Sequence, residues 1–436
     1  MQEHKKKKID SIFIGFSDIG GYYQLLAKGL HELGYNVTLF HENESKKSPE
    51  YYPKSKDLRI MKMLIFFKKK YIINKIFIFK LIFFIAVETC KFFLFIWAIR
   101  KHDTFVFGFS KTFFLGNFDL IILRKLNKQI ISNIGHGSES RPPYLDGGYL
   151  GIKNKFYYQR VLFLQSFFKK RKIKRIENYS NFIISSPHVS HFNTKSFINW
   201  MNLGLPINID LLDASNIISN NSNIIRILHA PSLKSAKGTY FVRKAINNLI
   251  NSGIEIKFIE LSNKPHKLVL QEIKKCDFVI DQVFSDILMA AFPLEAASFG
   301  KPAIVSGYKL GAINNYYNNN PPPVMSCEPK NLEATIKKLI MDKDLRERLG
   351  REAQDYVLKN WNYKKMAKSY QSIMNNSFPK SWLIDPYKVF YFHGWGMKKD
   401  TLTENLRDYI RKFGKSSLRL EHNKKLEQFF IDFIKN

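Results

Sequence analysis

Apolar and polar positions along this chain fall into blocks that read as strands and helices in turn. Residues 11–16 form a short apolar run suited to a buried strand. After the turn Ser17-Asp18-Ile19-Gly20-Gly21, Tyr22, Leu25, Leu26, Leu30 and Leu33 recur at helical spacing, and Gly34 suits the stop. Residues 36–40 are the next strand, so the chain opens as a doubly wound α/β unit. Strands are predicted over 103–109, 129–134 and 181–185, with helices over 119–127 and 154–175, and Leu203-Gly204-Leu205-Pro206-Ile207 closes this half.

The second half alternates more cleanly. Strands are predicted at 224–228, 254–261, 277–280 and 302–305. Between them lie a helix with Phe241, Val242, Ala245, Ile246, Leu249 and Ile250 on one face, a helix over 268–275, and one that ends at Gly300. Amphipathic helices follow over 332–340, 345–358 and 364–374. Residues 208–223 are rich in Asn and Ser and read as a linker, and 314–323 as a low-complexity loop. The predicted organisation is a first domain over 1–207, the linker, a second domain over 224–362, a further helix over 363–377 and a separate tail over 378–436. The tail has strand-like residues at 389–392 and two helices near its end.

Residues 61–100 break this regularity. The runs 81–87 and 92–99 are wholly apolar, interrupted around them by Lys75, Lys80, Glu88 and Lys91. A single helix over 76–99 would be ~36 Å long, enough to cross a bilayer. Three readings compete: a core helix with an exposed Phe-rich face, an interfacial helix, and a transmembrane span. A blend of the first two is favoured, because a strand of the same sheet resumes at Asp103.

Composition sharpens this picture. The 436 residues carry 69 Lys and Arg against 37 Asp and Glu, a formal charge of +32. That balance favours a polyanionic partner. The cations are interleaved with aromatic and aliphatic residues and no RNA-binding or zinc-finger spacing accompanies them. An anionic membrane surface therefore fits better than nucleic acid. Lys169-Lys170-Arg171-Lys172 reads equally as a solvated helix end or a lipid contact. Cys90, Cys276 and Cys327 are far apart and read as unpaired thiols of a reducing compartment. The apolar run after Lys5, Lys6, Lys7 and Lys8 is short and meets Asp18, so no signal peptide is expected.

The densest chemistry lies between residues 224 and 307. A strand runs into His229-Ala230-Pro231-Ser232-Leu233-Lys234-Ser235-Ala236-Lys237-Gly238 and a helix follows. Cations and backbone N–H groups at such a place suit phosphates. About sixty residues later, Glu295 stands in the first turn of a helix after Pro293, where a carboxylate either balances the helix dipole or accepts from ribose hydroxyls. Gln282 follows a strand directly. His136, flanked by Gly135 and Gly137, ends a strand of the first half, with Arg141 shortly after. Asp342-Lys343-Asp344 begins a helix and reads as an N-cap rather than a metal ligand, and His188 and His191 lack a third ligand, so no metal or cofactor is expected.

Gly20-Gly21, His136-Gly137-Ser138, Lys237-Gly238 and Glu295 with Gly300-Lys301-Pro302 together resemble the retaining GT-B glycosyltransferases of the large family 4, over residues 10 to about 375. The resemblance implies two Rossmann-like domains facing a cleft, a nucleoside-diphosphate-sugar donor held mainly by the second, and a last helix that crosses back to the first. It implies Lys237 as the cation for the leaving diphosphate, His136 near the reacting carbon, Glu295 at the ribose, and Gly20, Gly21, Ser232, Lys234, Gln282 and Asp286 around the donor. Arg141 would touch a phosphate or the acceptor. The chain departs from the family at Ser232, where an arginine is usual, and at Ile287, where a glutamate is usual. Lys234, Asp286 and the backbone N–H groups of 288–291 are the available substitutes. The implied acceptor is a saccharide or lipid-linked saccharide, and the expected location is cytoplasmic, on the inner membrane face. A GT-B epimerase and a non-catalytic surface-binding protein are the alternatives.

Overall fold

The computed structural model describes residues 11–42, 59–152, 155–211, 224–318, 320–389 and 394–435. Lys5 to Lys8, most of the expected linker, and residues 390–393 lie outside the described residues.

The first domain carries β1 (Ser11–Gly15), α1 (Tyr22–Glu32), β2 (Asn36–Leu39), α2 (Arg59–Ile73), α3 (Phe77–Lys101), β3 (Thr104–Gly108), α4 (Asp119–Lys125) and β4 (Gln129–Asn133). It continues with α5 (Lys155–Tyr179), β5 (Phe182–Ser185), β6 (Phe197–Asn199) and α6 (Trp200–Leu203). The second has β7 (Ile225–His229), α7 (Thr239–Asn251), β8 (Ile256–Glu260), α8 (His266–Lys275), β9 (Phe278–Ile280), α9 (Ala291–Ser298), β10 (Ala303–Ser306), β11 (Met325–Cys327), α10 (Leu332–Met341) and α11 (Lys343–Asn360). Then come α12 (Tyr363–Met374), β12 (Leu383–Ile384), α13 (Lys399–Phe413) and α14 (Lys424–Phe433).

Two sheets result, ordered β12-β6-β5-β4-β3-β1-β2 and β11-β10-β9-β7-β8. All pairings are parallel except that of β12 with β6. Parallel strands are covered on both faces, which is why β1 is apolar throughout. Ile12 and Ile14 pack toward α1 and α12, whereas Phe13 packs into the opposite layer. In each sheet the first strand has its successor on one side and a later strand on the other. The sheet order therefore reverses at β1/β3 and at β7/β9, the places where α/β sheets open a crevice.

Two chain segments join the domains and bond to each other: Ile207 N–H donates to Trp361 O at 2.8 Å and Tyr363 N–H to Ile207 O at 3.2 Å. Gly204 adopts φ 70°, and Trp361 lies where a side chain would stand. From this hinge α12 returns to the first domain, where Gln129 Nε2 donates to Met374 O at 2.8 Å and Gln371 Nε2 to Tyr35 Oη at 3.1 Å.

Several elements differ from expectation. Strands β6, β11 and β12 are two or three residues long, too short to show a period in sequence. Val389 lies outside any strand, the rest of the expected 389–392 strand falls outside the described residues, and the tail supplies β12, which the sequence did not indicate. The tail is not separate: Met397, Leu402, Leu406, Tyr409, Leu418, Leu420 and Phe430 join the core beneath the first sheet. The three cysteines are free thiols. Residues 61–100 are two helices, α2 and α3, folded into a hairpin through Phe67–Phe83 and Tyr71–Phe84 contacts.

Candidate functional site

The β7/β9 crevice is built around His229, the last residue of β7. Its Nδ1 faces Ile280 O at 2.8 Å and its Nε2 faces Thr239 Oγ1 at 2.9 Å. A carbonyl can only accept, so Nδ1 carries the proton and Nε2 accepts from the threonine hydroxyl. Burial keeps this imidazole below its usual pKa. The ring thus ties β7, the end of β9 and the start of α7 together. Gly238 precedes α7 at φ 69°, with Val283 2.7 Å from where its Cβ would be.

That geometry presents Lys237, whose Nζ lies 2.9 Å from Asp281 Oδ1. Asp281 follows β9 directly and is buried, and its Oδ2 has no hydrogen-bond partner among the described residues. Asp281 escaped the sequence reading, although it is a polar residue placed directly after an apolar strand. Lys234 is not brought to this pair. Its ammonium lies 2.8 Å from Glu260, which Arg243 also grips with two bonds of 2.7 Å, at the exposed end of β8. Ser232 is exposed on the same loop.

Glu295 lines a cleft between the domains with Gly20, Tyr22, Asn208, His266 and Ala291. His266 Nε2 sits 2.8 Å from Glu295 Oε1, and this carboxylate raises the imidazole pKa. Gly20 and Gly21 both have positive φ, and Asp18 closes the turn before α1 by accepting from Tyr23 N–H at 2.9 Å and Gln24 Nε2 at 2.8 Å. Among the described residues no side chain caps the start of α9, where Ala291 and Phe292 carry backbone N–H groups ahead of Pro293.

His136 sits on the first-domain side, stacked on Phe109 with ring centroids 4.2 Å apart. Its Nε2 is 2.9 Å from Tyr23 Oη, a partner not anticipated from sequence. Its N–H donates to Glu139 Oε1 at 2.7 Å. Burial pushes the imidazole down to about 3 and the Glu139 carboxyl up to about 7. A neutral imidazole can exchange hydrogen bonds with sugar hydroxyls without carrying charge.

Arg141, Asp286 and Gln282 meet at the join of the two domains. Arg141 Nη2 and Nε donate to Asp286 Oδ2 at 2.6 and 3.1 Å, and both residues are buried. Trp395 of the tail lies over the guanidinium at 5.4 Å and donates from Nε1 to Gln282 Oε1 at 3.0 Å. Its backbone bonds Leu145 O and Gly147 N–H of the first domain, while Gly396 N–H donates to Phe284 O of the second. Asp286 is therefore spent on Arg141 rather than left open for a sugar. Among the described residues no group of His, Cys, Asp or Glu is arranged to hold a metal ion. Asp342 caps α11 by accepting from Leu345 N–H at 2.9 Å, and His188 Nδ1 is engaged by Ser186 Oγ at 2.8 Å.

No family model matches the sequence, and no curated protein matches it. Solved structures do. HepE from Anabaena, in complex with UDP and glucose, superposes with a TM-score of 0.50 at 12% identity, over 85% of this chain and 100% of its own. A glycosyltransferase from Rickettsia africae gives 0.49 at 14%, over 86% of this chain and 99% of that one. The catalytic domain of starch synthase IV from Arabidopsis thaliana, bound to ADP and acarbose, gives 0.49 at 12%, over 85% and 99%. With two parallel-sheet domains facing a cleft, a helix crossing back to the first, and the likeness to HepE, the chain has the GT-B fold.

Proposed function

We propose that this chain is a glycosyltransferase that moves a sugar from a nucleoside-diphosphate-sugar to a hydroxyl acceptor with retention of configuration. The carrying observation is Lys237, a cation held by a buried carboxylate at the crevice of the second sheet. In support, HepE, which shares the fold, is described in complex with UDP and glucose. The bond between the anomeric carbon and the diphosphate oxygen breaks, and Lys237 offsets the charge that develops on the leaving group. The acceptor oxygen bonds the anomeric carbon on the same face, and its proton passes to the leaving phosphate oxygen. Glu295 takes the ribose hydroxyls and exchanges His266 for them. Gly20 and Gly21 let the first domain approach the donor closely, and His136 stands near the sugar. No metal or cofactor is part of this reading, because Lys237 supplies the charge. The acceptor is a lipid-linked saccharide at the inner membrane face, a proposal that rests on the basic, Phe-rich surface of the first domain.

The test is a panel of UDP, GDP, ADP and their sugar conjugates, read by thermal shift. A bound donor must stabilise the chain, by about 2.7 kcal/mol at a hundredfold excess over Kd. Lys237→Ala alone would strand the Asp281 carboxylate, so Lys237→Met is paired with Asp281→Asn. The double variant should fold, lose the diphosphate shift and lose transfer on the order of a hundredfold or more. A native response to every diphosphate in that variant would overturn the assignment, and turnover of donor without acceptor would replace it with epimerisation.

A further inference from the structure

The α2–α3 hairpin has a base and a tip of different character. At the base, Met61 and Leu64 of α2 and Cys90, Leu94, Phe95 and Ala98 of α3 are buried in the first-domain core. Glu42 receives Lys68 and Lys91 there, fastening both helices to the end of β2. The end of α3 leads within three residues into β3. At the tip, large apolar side chains face outward on both helices and the turn between them. Ile73 is 75% exposed, Phe77 77%, Ile78 67% and Ile76 57%, and Ile82 and Ile85 continue the surface along α3. Only 28% of the most apolar stretch of α3 is buried. A monomeric chain in water seldom leaves such a contiguous patch open.

Charge identifies the occupant. Lys62, Lys69, Lys70, Lys75 and Lys80 are distributed through the hairpin, with no acidic residue between positions 59 and 87. Lys70 Nζ lies over the Phe66 ring at 5.7 Å and Lys80 Nζ over the Tyr71 ring at 5.4 Å, so cations stand directly against the apolar, aromatic surface. An apolar tip with cationic flanks matches the acyl chains and anionic headgroups of a bilayer. Depth follows from helix length. The exposed end of α3 that adjoins the turn runs from Phe77 to about Ile85, nine residues or ~14 Å, against a hydrocarbon core of ~30 Å. Beyond it, Phe92 and Phe93 stay about half exposed on one side, but Cys90, Leu94, Phe95 and Ala98 commit the other side of α3 to the domain core, from which it cannot be withdrawn without unpacking.

We propose that the α2–α3 hairpin is a wedge that enters one leaflet of an anionic bilayer, tip first, without crossing it. This deepens the reading of a membrane-side transferase by naming its partner surface, and it fixes which side of the first domain faces the lipid.

The test uses the full chain and vesicles of phosphatidylglycerol and phosphatidylcholine, with pure phosphatidylcholine as the neutral comparison. Native protein should co-float with the anionic vesicles. Phe77→Glu with Ile78→Glu should weaken binding on the order of tenfold or more. The same variant should keep its thermal shift with nucleoside diphosphate, which separates failure of the wedge from failure of the donor site. A Phe77→Trp variant should be quenched by lipids brominated along the acyl chain. Undiminished flotation of the Glu variant overturns the proposal. So does a self-associated native protein that ignores vesicles and becomes monomeric in the variant, since the patch then belongs to a second copy. Protease cleavage of the tip from the far side of sealed vesicles would replace the wedge with a span.

Discussion

His136 and Glu139 stand three residues apart on one loop, and burial drives both toward neutral forms, the imidazole down to about 3 and the carboxyl up to about 7. For Glu139 the consequence can be signed. Its folded value exceeds the ordinary 4.5, so the folded chain holds this proton more tightly than the unfolded chain does. Its contribution is fully present below about 4.5 and is lost as pH rises through about 7. Glu139→Gln keeps an oxygen for His136 N–H and has no charge to bury. The variant should match the native chain near pH 4.5 and exceed it by on the order of 1–3 kcal/mol above pH 8, read from urea midpoints across that range. A constant difference would mean that Glu139 does not titrate near neutrality. Residue identities of this kind were partly legible: His136, Lys237 and Glu295 stood out by their position after strands or at helix starts. Tyr23, Asp281 and Trp395 did not, because their roles depend on what the fold brings against them.

At the scale of elements, the crossing of α1 and α12 is set by a residue without a side chain. A Cβ on Gly29 would stand 2.7 Å from Ala367 Cβ and 2.8 Å from Tyr363 O. Helix propensity favours Gly29→Ala by about 1 kcal/mol. The clash opposes it, because overpacking costs roughly 1–3 kcal/mol and backbone cannot step aside as a side-chain end can. The variant should therefore lower the melting temperature, and a rise would show that the two helices separate freely. The long amphipathic helices and the central strands were readable from periodicity. The hairpin was not, since α3 is apolar on nearly every side and a periodic face cannot be picked out of it.

At the scale of the molecule, Trp395 links three segments that are remote in sequence. Its indole meets Arg141 and Gln282, and its backbone and that of Gly396 bond both domains. Trp395→Ala removes the Gln282 bond and uncovers the Arg141–Asp286 pair. The Gly147 and Gly396 amides should then exchange faster with solvent, while those of β3 and β4 keep their protection; equal protection at all four places would mean that the tail does not brace the cleft. The chain's own pattern marked the α/β alternation of both halves, the close of the first half at residues 203–207, the amphipathic helix near 364–374 and the positions of Lys237, Glu295 and His136. These follow from local periodicity and from polar residues placed directly after strands, which short stretches of sequence encode. Tertiary structure alone decided that Asp281 holds Lys237, that Asp286 is taken by Arg141, that Lys234 turns to Glu260, and that the tail completes the first domain. Each is a pairing between residues distant in the chain, and charge partners in a folded protein are chosen by proximity and burial, which no local pattern specifies.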